Sequence, residues 1–368
     1  MVTLLVAAGG GGDALASLLV SRQLTGMVRA PIVASYSWDR RLLDPSPGPR
    51  FATDFVGTRQ LTTKTVEITR GSGLRAGGVS TLSLLAEATA ARFLLMDPSL
   101  GALGMREQVI ELIERFSFES VLLVDVGGDL MGVGTEPTLR SPLADALALA
   151  SLANLPVPVR VAVAGPGLDG ELSAPYVRAR CHELGGELAG RLGGSDVEPY
   201  LSVLAQHPSE STTLLAAAAL GMVGRAEIRD NADLVSLTGA SREIYTLNAA
   251  DVLSGSRLAQ ELSASGSLAE AEATTRSICG RSELDYERKK AETLRLRTPP
   301  SISQMQRTLE DYWSHAIASG VTMATFRRLS EVLRLTRYDP ALIRSLAGPR
   351  ADSRLAICRS AAFDSLSG

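Results

Sequence analysis

Lysine is almost missing from this sequence. Lys64, Lys289 and Lys290 are the only three among 37 lysines and arginines, and none closes an apolar run that reads as a strand. A lysine Schiff base is therefore not expected. No glycine precedes a Lys-Ser or Lys-Thr pair, so a Walker A phosphate loop is absent. The three cysteines (Cys181, Cys279 and Cys358) stand far apart, which leaves no CxxC spacing for zinc or redox work and no disulfide framework. His182, His207 and His315 are equally scattered and form no HExxH pattern. Aromatic residues make up only 4% of the chain, so aliphatic and alanine packing must fill the core. No apolar stretch reaches the roughly 18–20 residues of a membrane span. The opening MVTLLVAAGGGG lacks the basic start and long apolar core of a secretory signal, and the expectation is a cytoplasmic protein. A net charge of −3 gives no general attraction to nucleic acid.

What is present is an alternation of apolar runs and helical patterns. Val2–Ala8 ends in four glycines and is followed by Asp13 and a leucine- and alanine-rich segment at helical spacing: strand, tight turn, helix. Ala30–Tyr36, Arg92–Met96, Ser120–Val126 and Val159–Ala164 read as further strands. The run SVLLVDV, apolar without alternation until Asp125, fits a central parallel strand covered on both faces. Helices are expected over Ser80–Ala91, Arg106–Arg115 and Pro142–Leu152, the last with Ser141 as N-cap and Pro142 in its first turn. Beyond residue 175 helices are expected over Tyr176–Leu192, Val197–Leu204 and Ser211–Gly221, with one more strand near Ile244–Leu247. The pattern predicts an α/β fold, a Rossmann-like, doubly wound and mostly parallel sheet over residues 1–290. An arginine-rich, helical C-terminal extension would occupy 291–368, and its apolar faces around Trp313, Phe326 and Leu333 offer a contact for a homo-oligomer.

The candidate site follows from where such sheets bind ligands, outside the carboxyl ends of the strands. Gly9, Gly10, Gly11 and Gly12 open the first helix, whose free N–H groups and partial positive charge attract an anion. Gly9, Gly11 and Ala14 also match the relaxed dinucleotide pattern, with Asp39 at the distance of a ribose-gripping carboxylate. Asp13 either caps the helix, consuming the same N–H groups, or faces the ligand. Asp125, Gly127, Gly128 and Asp129 end the fourth strand. Two carboxylates four residues apart suit a shared Mg²⁺, or else Asp125 caps loop amides. Asp169 and Glu171, after the next strand, are candidates for a general base, and Arg140 for stabilising negative charge. His207, Ser209 and Ser211 precede another helix, where serines cap routinely.

These segments together resemble the archaeal and actinobacterial family catalogued as domain of unknown function 1152. The resemblance rests on GGGGD (9–13), WDRRLLDPSPGPR (38–50), VDVGGDLMGVGTEPTLRSPLADAL (124–147), GPGLDGEL (165–172), HPSEST (207–212) and RSELDYERK (281–289). It covers about residues 1–290 and implies no activity. The expectation from the residues is an enzyme that binds a nucleotide, nucleoside or phosphorylated metabolite and performs group transfer or cleavage, with a role in specialised (biosynthetic) metabolism. A small anionic ligand is the expected partner. An NAD(P)-dependent oxidoreductase and a non-catalytic nucleotide- or partner-binding protein are the alternatives.

Overall fold

In the computed structural model, residues 2–26, 30–229 and 233–360 are described. Five apolar strands form the centre: β1 (Thr3–Ala7), β2 (Ile32–Ser35), β3 (Arg92–Leu95), β4 (Ser120–Val126) and β5 (Val159–Ala164). All pair in parallel, in the spatial order β3-β2-β1-β4-β5. Each is nearly or wholly buried, because helices cover both faces of the sheet. On one face Leu5 and Ala7 of β1 pack with helix α1 (Gly11–Thr25). On the other, Leu4 and Val6 meet helices α3 (Gly101–Phe116) and α4 (Pro142–Ser151). Between β2 and β3 in the chain lies helix α2 (Thr81–Ala88). The α/β, doubly wound reading is thus the observed one.

Four antiparallel pairings extend the sheet to nine strands among the described residues. Glu243–Asn248 pairs with β5, and Glu187–Arg191 lies outside it. Val66–Ile68 and Arg59–Gln60 extend the edge beyond β3. The expected helix Tyr176–Leu192 is corrected here: helix ends at Glu183, and ELAGR forms an edge strand. Its side chains are mostly exposed, so its only structural signal is backbone pairing, which leaves no hydrophobic pattern to read.

The segment after 291 is mostly helical, as expected, but it also contributes Met323–Thr325 and Ile357–Arg359 to a second sheet. Met323–Thr325 pairs in parallel with Gly224–Glu227, which lies inside the first 290 residues. Met323, Leu355 and Ile357 join the same core cluster as β1 and α1. Trp313, Phe326 and Leu333 are 3%, 0% and 1% exposed and pack against one another's helices. The apolar faces expected to offer a subunit contact therefore face inward. Among the described residues, no helix is long and apolar enough to cross a membrane.

Candidate functional site

Strand order reverses on either side of β1, and the loops leaving β1, β2, β4 and β5 diverge around one crevice there. The cavity measures about 180 Å³. Gly9–Asp13 forms its floor, Trp38–Arg41 and Thr81 one wall, and Asp129, Arg140, Asp145, Asp169 and Glu171 the other. His207–Ser211, Arg229, Glu283, Tyr286, Glu287, Lys290 and Arg327 complete the lining.

No side chain caps helix α1. Asp13 reaches away from the helix's first amides: Oδ2 accepts from Gly9 N at 2.6 Å and Oδ1 from Val126 N at 3.2 Å. It ties the exit of β1 to that of β4 and leaves Gly11 and Gly12 uncapped. The glycines themselves answer mainly to close packing. A Cβ on Gly10 would strike the Trp38 carbonyl, one on Gly11 the Thr81 hydroxyl, and one on Gly12 the Ser209 hydroxyl. Burial raises the Asp13 carboxyl to about 7.

Asp39 is buried, not part of a solvated loop, and caps α2 by accepting from Thr81 N at 3.2 Å and from the Thr81 hydroxyl. Burial raises it to about 6. Its oxygens are thus taken by the protein rather than offered to a ribose. Asp125 needs a similar correction. It lies beneath the cleft instead of lining it, accepting from Gly128 N at 3.2 Å and Leu130 N at 3.3 Å, the loop-capping alternative. Gly127 and Gly128 are also off the cleft lining. Their φ values of 105° and 94° demand glycine, and Asp169 and Val177 crowd their Cβ positions. Asp125 and Asp129 therefore do not form the expected cation pair. Among the described residues, no three His, Cys, Asp or Glu side chains gather as a metal-holding group.

Glu171 lines the cleft but has little freedom as a base. It accepts from Arg140 N at 2.6 Å, Ser141 N at 3.0 Å and Ser141 Oγ at 2.8 Å, and pairs with Arg229 at 3.2 Å. Glu283 accepts from Leu143 N and Ala144 N, both at 2.8 Å. Two carboxylates thus take the amides at the start of α4, and Ser141, expected as its cap, makes no capping bond. Burial raises Glu283 to about 8. Ser209 is the N-cap of helix α5 (Glu210–Ala219), its Oγ accepting from Thr212 N at 3.3 Å.

The residue that sequence reasoning passed over is Asp145. It sits in the first turn of α4 at 5% exposure, and its Oδ1 has no protein partner. Burial, with Asp13 next, holds its carboxyl well above the usual range, and it hydrogen-bonds to Asp129, which is raised by the same cause. A signal was available: within PLADALALAS every helical position is buried, and Asp145 is the only charge. Half of the buried side-chain N and O atoms without a protein partner among the described residues belong to this cleft. They are Arg41 Nε and Nη1, Asp145 Oδ1, Asp169 Oδ2, His207 Nε2, Arg229 Nε and Arg327 Nε. Ser209 N donates to His207 Nδ1 at 3.2 Å, so Nε2 carries the proton of the neutral ring. Burial lowers His207 to about 4 and raises Asp169 to about 7.

A family model described as protein of unknown function (DUF1152) matches residues 4–291. The chain belongs to that family. No curated protein and no solved structure matches it. The DUF1152 match takes in every cleft residue except Arg327, including the glycine turn, the acidic wall and the α4 caps.

Proposed function

We propose that this DUF1152 protein is an enzyme acting on a small phosphorylated metabolite or mononucleotide, by group transfer or cleavage at the strand-end cleft. The observation that carries the reading is the convergence of unpartnered, buried polar atoms of both kinds. Arg41 and His207 offer N–H donors, and Asp145 and Asp169 offer carboxyl oxygens. Buried polar groups without partners cost about 1–3 kcal/mol each, so a fold keeps several in one crevice where ligand atoms complete them. Arg41 is 5% exposed and engaged through Nη2 alone, to Asp39 O at 3.2 Å and Glu287 at 4.0 Å. Its fork and the uncapped amides of α1 suit an oxyanion.

Catalysis, rather than storage, is supported by the carboxyls. Asp13 and Asp169 lie at about 7, where a group both gives and takes protons at neutral pH. The Asp129–Asp145 pair carries a proton that it can pass to a leaving group. A dinucleotide fits poorly: Asp39, which would grip its ribose, spends its oxygens on Thr81 N, the Thr81 hydroxyl and the Ser37 hydroxyl.

The test is a thermal-shift panel of sugar phosphates, nucleoside monophosphates and NAD on the full chain, followed by turnover assays on the ligands that bind. Stabilisation by a phosphorylated metabolite, with turnover lost in Asp145→Asn, is expected. Stabilisation by NAD alone would replace this reading with the oxidoreductase, and binding without turnover would replace it with a non-catalytic binder.

A further inference from the structure

The family match ends at residue 291, yet the cleft does not. Arg327 belongs to helix α6 (Phe326–Val332), which starts directly after Met323–Thr325. That strand's parallel pairing with Gly224–Glu227 fixes the point from which α6 leaves. Arg327 is 6% exposed and sits in a row of charges. Lys290 Nζ donates to Glu331 at 2.9 Å, and Arg327 Nη2 to the same oxygen at 2.8 Å. Arg327 Nη1 donates to Glu210 at 2.9 Å, and the other Glu210 oxygen stands 3.6 Å from Arg40. Arg327 Nε has no protein partner.

Burial opposes charge on Glu210, but Arg40 and Arg327 outweigh it and hold the carboxyl below its usual range. The row alternates three cations with two anions, and Glu171 and Glu287 also act on Arg40. Arg327 pairs with both Glu210 and Glu331. Its helical neighbour Arg328 points elsewhere and pairs with Glu227 at 3.0 Å.

We propose that the segment after 291 completes the ligand site. Arg327 presents its Nε–H to the ligand's anionic group and, through Glu210, fixes Arg40 at the cleft mouth. The inference rests on the anionic-ligand reading above and sharpens it: Arg327 Nε, added to the Arg41 fork and the uncapped amides of α1, offers more N–H donors than a carboxylate can use, which favours a phosphate monoester dianion. Residues outside the family match thereby set which anion this member selects.

The experiment is isothermal titration calorimetry of the full chain with inorganic phosphate and with acetate, alongside melting temperatures. Wild type should bind phosphate more tightly than acetate. Arg327→Gln should weaken phosphate binding about tenfold, the scale of one lost charge-assisted hydrogen bond, and narrow the preference over acetate. Arg327→Lys keeps the charge but loses the fork, and should recover part of the affinity at a near-normal melting temperature. Arg328→Gln should lower the melting temperature while leaving phosphate affinity within about twofold, since no contact to the cleft is lost. If Arg327→Gln does not fold, Arg327→Lys decides, with weakened phosphate binding expected. Wild-type affinity in both Arg327 variants, or equal losses in the Arg327→Gln and Arg328→Gln proteins, would overturn the inference and leave the anionic-ligand reading standing. Absence of phosphate binding to wild type would overturn both.

Discussion

Asp145 shows how a single buried carboxyl couples function to stability. Asp13 and Asp169 lie at about 7 and Glu283 at about 8, with Asp129 and Asp145 also raised, all by burial first. The folded chain therefore holds protons that the unfolded chain has already released, and stability must fall as pH rises through 7 and 8. His207 has the opposite sign, because its lowered value favours folding as pH rises from about 4 to 6.5. Above pH 6.5 the carboxyls dominate, and the buried thiols of Cys181 and Cys358, raised to about 12, act in the same direction as pH nears 8.5. Urea unfolding should accordingly give lower stability at pH 8.5 than at pH 6.5. Asp145→Asn, which stays neutral and removes repulsion from Asp13, should reduce that difference and raise stability at pH 8.5. A slope of the other sign, or one unchanged in the variant, would contradict the acidic-cluster account.

At the scale of elements, the glycine turn does structural work before any ligand arrives. A Cβ on Gly10 meets a backbone carbonyl, that of Trp38, whereas one on Gly12 meets the Ser209 hydroxyl, which can turn only by giving up its cap on α5. Gly10→Ala should cost about 1–3 kcal/mol in urea unfolding and Gly12→Ala about 1 kcal/mol, the scale of a lost cap; a Gly10→Ala protein as stable as wild type would contradict the packing. This turn was legible because four glycines follow an unbroken apolar strand. Ser120–Val126 and Val159–Ala164 were legible to the residue for the same reason, an apolar run that is buried on both faces over Val121–Val126 and Val161–Ala164. The α4 caps were not. Glu283 reaches that helix from 140 residues downstream, and no local pattern announces a cap supplied by tertiary structure. Asp39 and Asp125 follow strands as expected, but of the roles open to them the structure shows capping: their oxygens are spent on backbone amides and, for Asp39, also on the Thr81 hydroxyl. Arg41 and Arg327 stayed hidden because an arginine's burial is decided by its neighbours, not by its position in a motif.

Across the whole molecule, the C-terminal segment behaves as part of the core. Tyr338 N donates to Leu42 O at 2.8 Å, Ala356 N to Leu204 O at 3.1 Å, and two of its strands complete the sheet begun by Gly224–Glu227. Truncation after residue 291 should expose Ala226, Ile228 and Val235, lower the melting temperature and promote association, as read by calorimetry and light scattering. A truncated chain that melts like the full one would show the segment to be an appendage. The cleft that these parts enclose is the substance of the functional reading. A crystal structure of the full chain grown with a phosphorylated metabolite chosen by thermal shift bears on it without intermediaries. A phosphoryl group on the Gly11 and Gly12 amides within reach of Arg41 is the outcome that agrees. A ligand seated elsewhere on the molecule, with Arg41 Nε and Nη1 still without a partner, would contradict it.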